Sequence, residues 1–209
     1  MGTKWVGRVL LLTGMATLGS AAVDAETDVA VSLYGAFNGT TTGNGVAQSP
    51  SNSAGGLLEA RRIAKPWIGY EGSYSFNRAN QVYNQSSYVC PGALPCTFLP
   101  TAAVSANAHE VTGDWIASLK IANLRPFALA GGGLLFNVPS GSAQAPTRTS
   151  TQGVFVYGGG GDWELLPHIG LRFQYRGNLY KAPNLTTLYT STGAFTHTSE
   201  PVIGAYFRF

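Results

Sequence analysis

The chain has 209 residues, of which 44% are hydrophobic, 11% aromatic and 11% charged, with a formal net charge of +3. A soluble domain carries about 25% charged residues, so this composition argues against an ordinary water-exposed surface. The near balance of charge gives no argument for a nucleic-acid partner. The mean hydropathy of +0.06 is low, as it is when apolar and polar residues alternate along strands and the average hides both.

The chain opens with an export signal. Lys4 and Arg8 precede an apolar run from Val9 to Leu18, and Val23-Asp24-Ala25 ends in a small-residue cleavage site. This predicts a signal peptide over 1–25 and one domain over 26–209, a mature chain of 209 − 25 = 184 residues. The apolar run is too short to span a bilayer comfortably. No cysteine lies near the site to carry a lipid anchor, and no long apolar run follows residue 25.

Eight strands are predicted by period-two alternation. Strand one, Asp28 to Gly39, sets Val29, Val31, Leu33 and Phe37 against Ser32, Tyr34, Ala36 and Asn38. Thr40 to Ser53 is read as a loop. Strand two, Ala54 to Ile63, opposes Leu58 and Ala60 to Glu59 and Arg61, and Ala64-Lys65-Pro66 turns into strand three, Trp67 to Asn77. There Ile68, Tyr70, Tyr74 and Phe76 face out while Glu71, Ser73 and Ser75 face in. A long loop, 78–103, holds the two cysteines of the chain, Cys90 and Cys96. In an exported chain these predict a local disulfide. No nearby His or Cys completes a metal set with them.

Strand four, from about Val104 to Leu119, opposes Val111, Trp115 and Leu119 to Glu110, Thr112, Asp114 and Ser118. Ile121 to Leu124 is a turn. Strand five, Arg125 to Asn137, and strand six, Gln152 to Trp163, contain glycine runs that leave their facing ambiguous. Residues 138–151 form the loop between them. After a turn at Glu164 to Pro167, strand seven, His168 to Tyr180, opposes Ile169, Leu171, Phe173, Tyr175 and Leu179 to Arg172, Gln174, Arg176 and Asn178. Residues 181–197 form a loop. Strand eight, Val202 to Phe209, puts Ile203, Ala205, Phe207 and Phe209 on one face, and Gly204, Tyr206 and Arg208 on the other.

The connections alternate long and short, and an even strand count puts both ends of the domain on one side. The expected fold is an all-β, eight-stranded antiparallel up-and-down transmembrane β-barrel with short periplasmic turns and four long external loops. Asp28 to Phe209 resembles the small bacterial outer-membrane β-barrel family whose best-known member is the OmpA membrane domain. The Gly-aromatic strand Trp67-Ile68-Gly69-Tyr70-Glu71-Gly72-Ser73-Tyr74 and the closing strand carry the resemblance. It implies that Gly204, Phe207 and Phe209 form an assembly signal for the barrel-assembly machinery. Val202 stands where the family usually has a polar residue. The resemblance also implies residence in the outer membrane of a two-membrane bacterium, as a monomer in contact with lipid. The sequence ends with the barrel, so no wall-binding domain is expected.

Candidate sites are few. Gly131 to Gly133 and Gly158 to Gly161 are followed by neither a helix nor Gly-Lys-Ser/Thr, so they suit close backbone approach and bending, not phosphate. His197-Thr198-Ser199-Glu200 resembles the His and Ser of outer-membrane lipid A deacylases. Glu200 replaces the Asn of that motif, and parity with Phe209 turns His197 and Ser199 outward. His109 and His168 have no clear partners. Trp67, Trp115 and Trp163 lie near the short turns as an aromatic girdle. An eight-stranded barrel is just wide enough for side chains to fill it. Glu59, Glu71 and Asp114 are therefore predicted to meet Arg61, Arg172 and Arg176 at one depth in the lumen. The expectation is a structural or adhesive surface barrel that is not an enzyme and holds no cofactor or metal, with an external ligand reaching it through the loops. A lipid-modifying enzyme, a narrow channel and a soluble lipocalin-like binder are the competing readings.

Overall fold

A computed structural model describes residues 25–64, 67–86, 99–141 and 146–209. The proposed leader up to residue 24 and the proposed Cys90–Cys96 disulfide lie outside the described residues.

The described chain forms ten strands. They are β1 (Glu26–Asn38), β2 (Thr41–Gly43), β3 (Val46–Pro50), β4 (Ser53–Ile63), β5 (Ile68–Gln85), β6 (Ala102–Ser118), β7 (Leu124–Pro139), β8 (Ser150–Leu166), β9 (Ile169–Lys181) and β10 (Phe195–Arg208). Every pairing is antiparallel. The order runs β5-β4-β1-β10-β9-β8-β7-β6, and β5 pairs with β6 to close eight strands into a barrel. The first and last strands meet along Asp28↔Arg208 to Asn38↔Thr198.

The wall stands where alternation predicts it. Val31, Leu33, Trp115 and Phe209 are 67%, 69%, 70% and 72% exposed, while their neighbours Ser32, Asp114 and Arg208 are buried. The expected faces of strands one to four, seven and eight match this pattern. β7 and β8, ambiguous in sequence, turn Phe127, Leu129, Leu135, Val154 and Val156 inward, so one wall of the lumen is apolar. Gly131, Gly133, Gly158 and Gly160 stand on the same wall. A Cβ there would lie 2.2, 1.9, 2.1 and 2.1 Å from a carbonyl oxygen of the neighbouring strand, so the close approach excludes any side chain.

Three differences from the sequence reading concern the loop end. Residues 40–53 are not an irregular loop: β2 and β3 form a hairpin that adds to β5. Its two-residue turn, Asn44-Gly45, has φ of 51° and 75°, the left-handed pair that Asn-Gly favours in hairpins. β5 and β6 run well past Asn77 and begin before Val104, pairing as far as Tyr83↔Ala102. β10 begins at Phe195, inside the predicted 181–197 loop. In each case ladder hydrogen bonds carry the strand on through polar residues, and in β3, β5 and β6 the buried Val46, Tyr83, Ala102 and Val104 add packing at that end.

Candidate functional site

The lumen is the most constrained part of the molecule. Near its turn end, Arg61 lies 2.7 Å from Glu71 and 3.0 Å from Asp162. Arg172 lies 2.7 Å from Asp162, 2.8 Å from Asp28 and 3.7 Å from both Glu59 and Glu71. All these side chains are 0–3% exposed. Register explains the meeting. Arg61 pairs across the ladder with both Asp28 and Glu71, and Asp162 pairs with Arg172. Inward residues on tilted neighbouring strands thus converge on one layer. The apolar wall supports them, with the Arg61 guanidinium 4.0 Å from the centre of the Phe127 ring. At the turn-end rim, Arg208 and Arg125 reach Glu164 and Glu26.

The predicted set is therefore brought together only in part. Glu59, Arg61, Glu71 and Arg172 share the layer. Arg176 stands above it, where it donates to Ser73 and lies 3.3 Å from Glu110. Asp114 faces the lumen but forms no ion pair among the described residues; Thr112 Oγ1 donates to it at 2.8 Å. Asp28, Asp162, Glu110 and Glu200 were missed. Asp28 begins its strand, where alternation has no preceding residue to fix it, and Asp162 follows the glycines that obscure the facing of β8.

Above Arg176 lies a polar chamber of about 30 Å³. Glu110, Glu200, Asn178, Tyr34 and Tyr180 are among its lining residues, and Tyr180 is hydrogen-bonded to Thr198 at 2.9 Å. Over the chamber, residues 182–194 cross the mouth. They leave β9 and reach β3 and β5 on the opposite wall, where Gln48 and Tyr83 both donate to the Pro183 carbonyl. Tyr83 Oη also accepts from the Leu185 amide at 3.0 Å. Leu185, Tyr189, Val46, Tyr83 and Val104 pack into a second core outside the barrel proper.

Outside, the apolar face is bounded by aromatics. Trp67, Trp115, Trp163, Phe207 and Phe209 ring the turn end, and Phe37, Tyr74, Phe155, Tyr175 and Phe195 lie toward the loops. Gly204 pairs with Ser32, and its missing Cβ leaves room for the Ser32 hydroxyl, so the closing strand fits flush against β1. His197 and Ser199 face outward. His197 Nε2 pairs with the Tyr157 hydroxyl at 2.9 Å, and Ser199 with that of Tyr175 at 3.1 Å. Ser199 Oγ is 3.5 Å from His197 Nδ1, and Glu200 points the other way, into the lumen. His109 bonds the Tyr74 hydroxyl at 2.8 Å, and His168 contacts the Arg208 carbonyl. Among the described residues, no three or more His, Cys, Asp or Glu are grouped to hold a metal ion.

The eight barrel strands close with no edge left unpaired within the wall, and their outer surface is apolar with aromatic borders. That is the arrangement of a transmembrane β-barrel. The structure is similar to that of Ail, the attachment invasion locus protein of Yersinia pestis, solved in complex with the heparin analogue sucrose octasulfate. The two share 15% identity over 90% of this chain and 100% of that chain, with a TM-score of 0.51. Neisserial surface protein A is similar at 14% identity over 88% of this chain and 97% of that chain, with a TM-score of 0.52. The outer membrane protein OprG from Pseudomonas aeruginosa is similar at 10% identity over 88% and 96%, with a TM-score of 0.50. No family model and no curated protein matches the chain. The fold is that of the small outer-membrane barrels.

Proposed function

We propose that this protein is an integral outer-membrane barrel that anchors surface loops in a structural or adhesive role, without catalysis and without passing solutes. The observation that carries the closed lumen is its obstruction at two levels. The Arg61–Arg172 layer fills the turn end, and residues 182–194 cross the loop end. Planar-bilayer recording of the purified protein tests it. The expected outcome is no steady conductance; a large, solute-permeable conductance would overturn the closed reading.

Charge distribution supports the adhesive side. All nine carboxylates after residue 25 lie in the lumen or on the turn-end rim. The exposed loop surface therefore carries Arg78, Arg148 and Lys181 with no exposed acidic side chain beside them among the described residues, Glu110 and Glu200 being buried in the lumen. Such a surface favours a polyanionic partner. Ail, whose fold is similar, was solved with a sulfated heparin analogue. Binding of cells displaying the protein to immobilised heparin, weakened by salt, is the expected result. Binding that ignores salt, or none, would remove this reading. A lipid-modifying role is not favoured, because among the described residues no carboxylate reaches His197, and both His197 and Ser199 are engaged by tyrosines.

A further inference from the structure

The outer wall changes character along one line toward the loop end. On β5 the outward residues run Tyr70, Gly72, Tyr74 and Phe76, and then turn polar at Arg78 and Asn80. Beside them on β6, Trp115, Val111 and His109 give way to Asn107, the ladder partner of Arg78. On β4, Leu58, Gly56 and Ala54 lead up to Asn52. Arg78 is ten residues along β5 from Ile68, about 33 Å of strand, which a tilt of ~40° converts to about 25 Å of height. The apolar band of such barrels is about 25 Å tall, so Arg78 stands on the wall where hydrocarbon ends and lipid headgroups begin.

The wall also opens there. β3 leaves β5 at Pro50↔Gln81 and β4 takes over at Gly55↔Asn77, so four residues, 51–54, stand opposite three, 78–80. This irregularity of the bulge type forms an open notch of about 520 Å³. The side-chain oxygens of the notch each hold a donor already. Ser51 Oγ accepts from the backbone amide of Asn80 at 2.9 Å, and Asn80 Oδ1 accepts from the Ser105 hydroxyl at 2.7 Å. Asn52 Oδ1 accepts from the backbone amide of Asn38, and Ser53 Oγ from Asn77 Nδ2, both at 3.1 Å. What these groups have left to offer is donors: the Nδ2 atoms of Asn52 and Asn80 and the hydroxyl protons of Ser51 and Ser53. Arg78 adds its guanidinium, which is exposed and forms no hydrogen bond or ion pair among the described residues. The carboxylates after residue 25 all lie in the lumen or on the turn-end rim, so none serves it.

We propose that this notch binds the phosphate of a sugar headgroup on an outer-leaflet lipid. A donor-rich recess without acids selects an anion, and the planar guanidinium grips a phosphate through two parallel hydrogen bonds. The serine and asparagine donors suit the remaining phosphate oxygens and the sugar hydroxyls around them. Position selects the lipid. The notch lies on the side of the wall at headgroup height, and β5 runs on for seven residues past Arg78, to Gln85. Beneath it, the rings of Phe76 and His109, 5.0 Å apart, give the first acyl carbons an apolar face. A lipid held there fixes the height of the barrel in the bilayer and fills the break in the ladder. The site goes beyond the adhesive reading, which keeps Arg148 and Lys181 when lipid occupies Arg78.

Native mass spectrometry of the full mature barrel, refolded in detergent and titrated with lipid A, tests the site. The expected result is one tightly held lipid A per barrel. Arg78→Gln should weaken that binding about tenfold or more, through loss of charge-assisted hydrogen bonds. Arg62→Gln, the same change on the outward face at the turn end, should leave it unchanged. Lipid A stripped of its phosphates should bind the wild type as weakly as intact lipid A binds Arg78→Gln. Inorganic phosphate or heparin at the same concentration as the lipid should not displace it. Heat-modifiable gel mobility confirms that each variant is folded. Should Arg78→Gln fail to fold, the phosphate-free lipid decides the matter on the wild type alone. No bound lipid A, equal binding by Arg78→Gln, or equal binding of the phosphate-free lipid would each overturn the site. Displacement by phosphate or heparin would assign the notch to a soluble anion and overturn it as well.

Discussion

Replacing Arg172 by Met removes the centre of the turn-end layer while keeping a long, flexible side chain of similar reach. Arg172 donates to Asp162 at 2.7 and 3.1 Å and to Asp28 at 2.8 Å. It also lies 3.7 Å from Glu59 and Glu71. Without it, Asp162 keeps Arg61 at 3.0 Å, but Asp28 loses its one ion pair among the described residues. Removing one partner of a buried ion pair costs about 3–5 kcal/mol. That lowers the folding equilibrium constant roughly a hundred- to several-thousand-fold. The assay is urea unfolding of the refolded barrel in lipid, followed by tryptophan emission and by heat-modifiable mobility. Arg172→Met combined with Asp28→Leu should recover part of the loss, since it removes the stranded carboxylate as well. A single-variant loss below about 1 kcal/mol, the scale of an exposed pair, would mean that water solvates the layer and that it is no packed network.

Other perturbations separate the parts of the structure. Tyr83→Phe deletes the hydroxyl that bonds both Pro183 and Leu185. It should loosen residues 182–194 by about 1–3 kcal/mol, read as faster hydrogen exchange there with unchanged protection in β6–β9. Gly158→Val would place a Cβ 2.1 Å from the Tyr175 carbonyl oxygen, whereas Gly72 has nothing within 4 Å. Folded yield should therefore collapse for Gly158→Val and hold for Gly72→Val; equal yields would refute the close approach. Deleting Phe209 should impair assembly in cells, scored as loss of the heat-modifiable form from the membrane. Trp115, 70% exposed on the outer face, should be quenched by lipids brominated near the interface and by no aqueous quencher.

Much of this architecture is local and so was legible in the sequence. Residues two apart on a strand share a face, which placed Arg172, Gln174, Arg176 and Asn178 inside before any coordinates. The Asn44-Gly45 turn was equally local, and the hairpin it makes was there to be read. Gly158 to Gly161 carry no side chain, so alternation had nothing to report, and the inward Asp162 beside them escaped notice.

What the sequence determined by itself is which side of the wall each residue of an alternating strand takes. Tertiary structure alone decided height and partner. Strand tilt and ladder register slide neighbouring strands past one another, so equal counts from a turn do not mean equal depth. That is why Arg61 meets Asp162 across a sequence separation of 101 residues while Asp114, assigned the same level, forms no ion pair among the described residues. It is also why the crossing from Pro183 to Tyr83, which closes the mouth, could be seen only once β9 and β5 stood on opposite sides of one barrel.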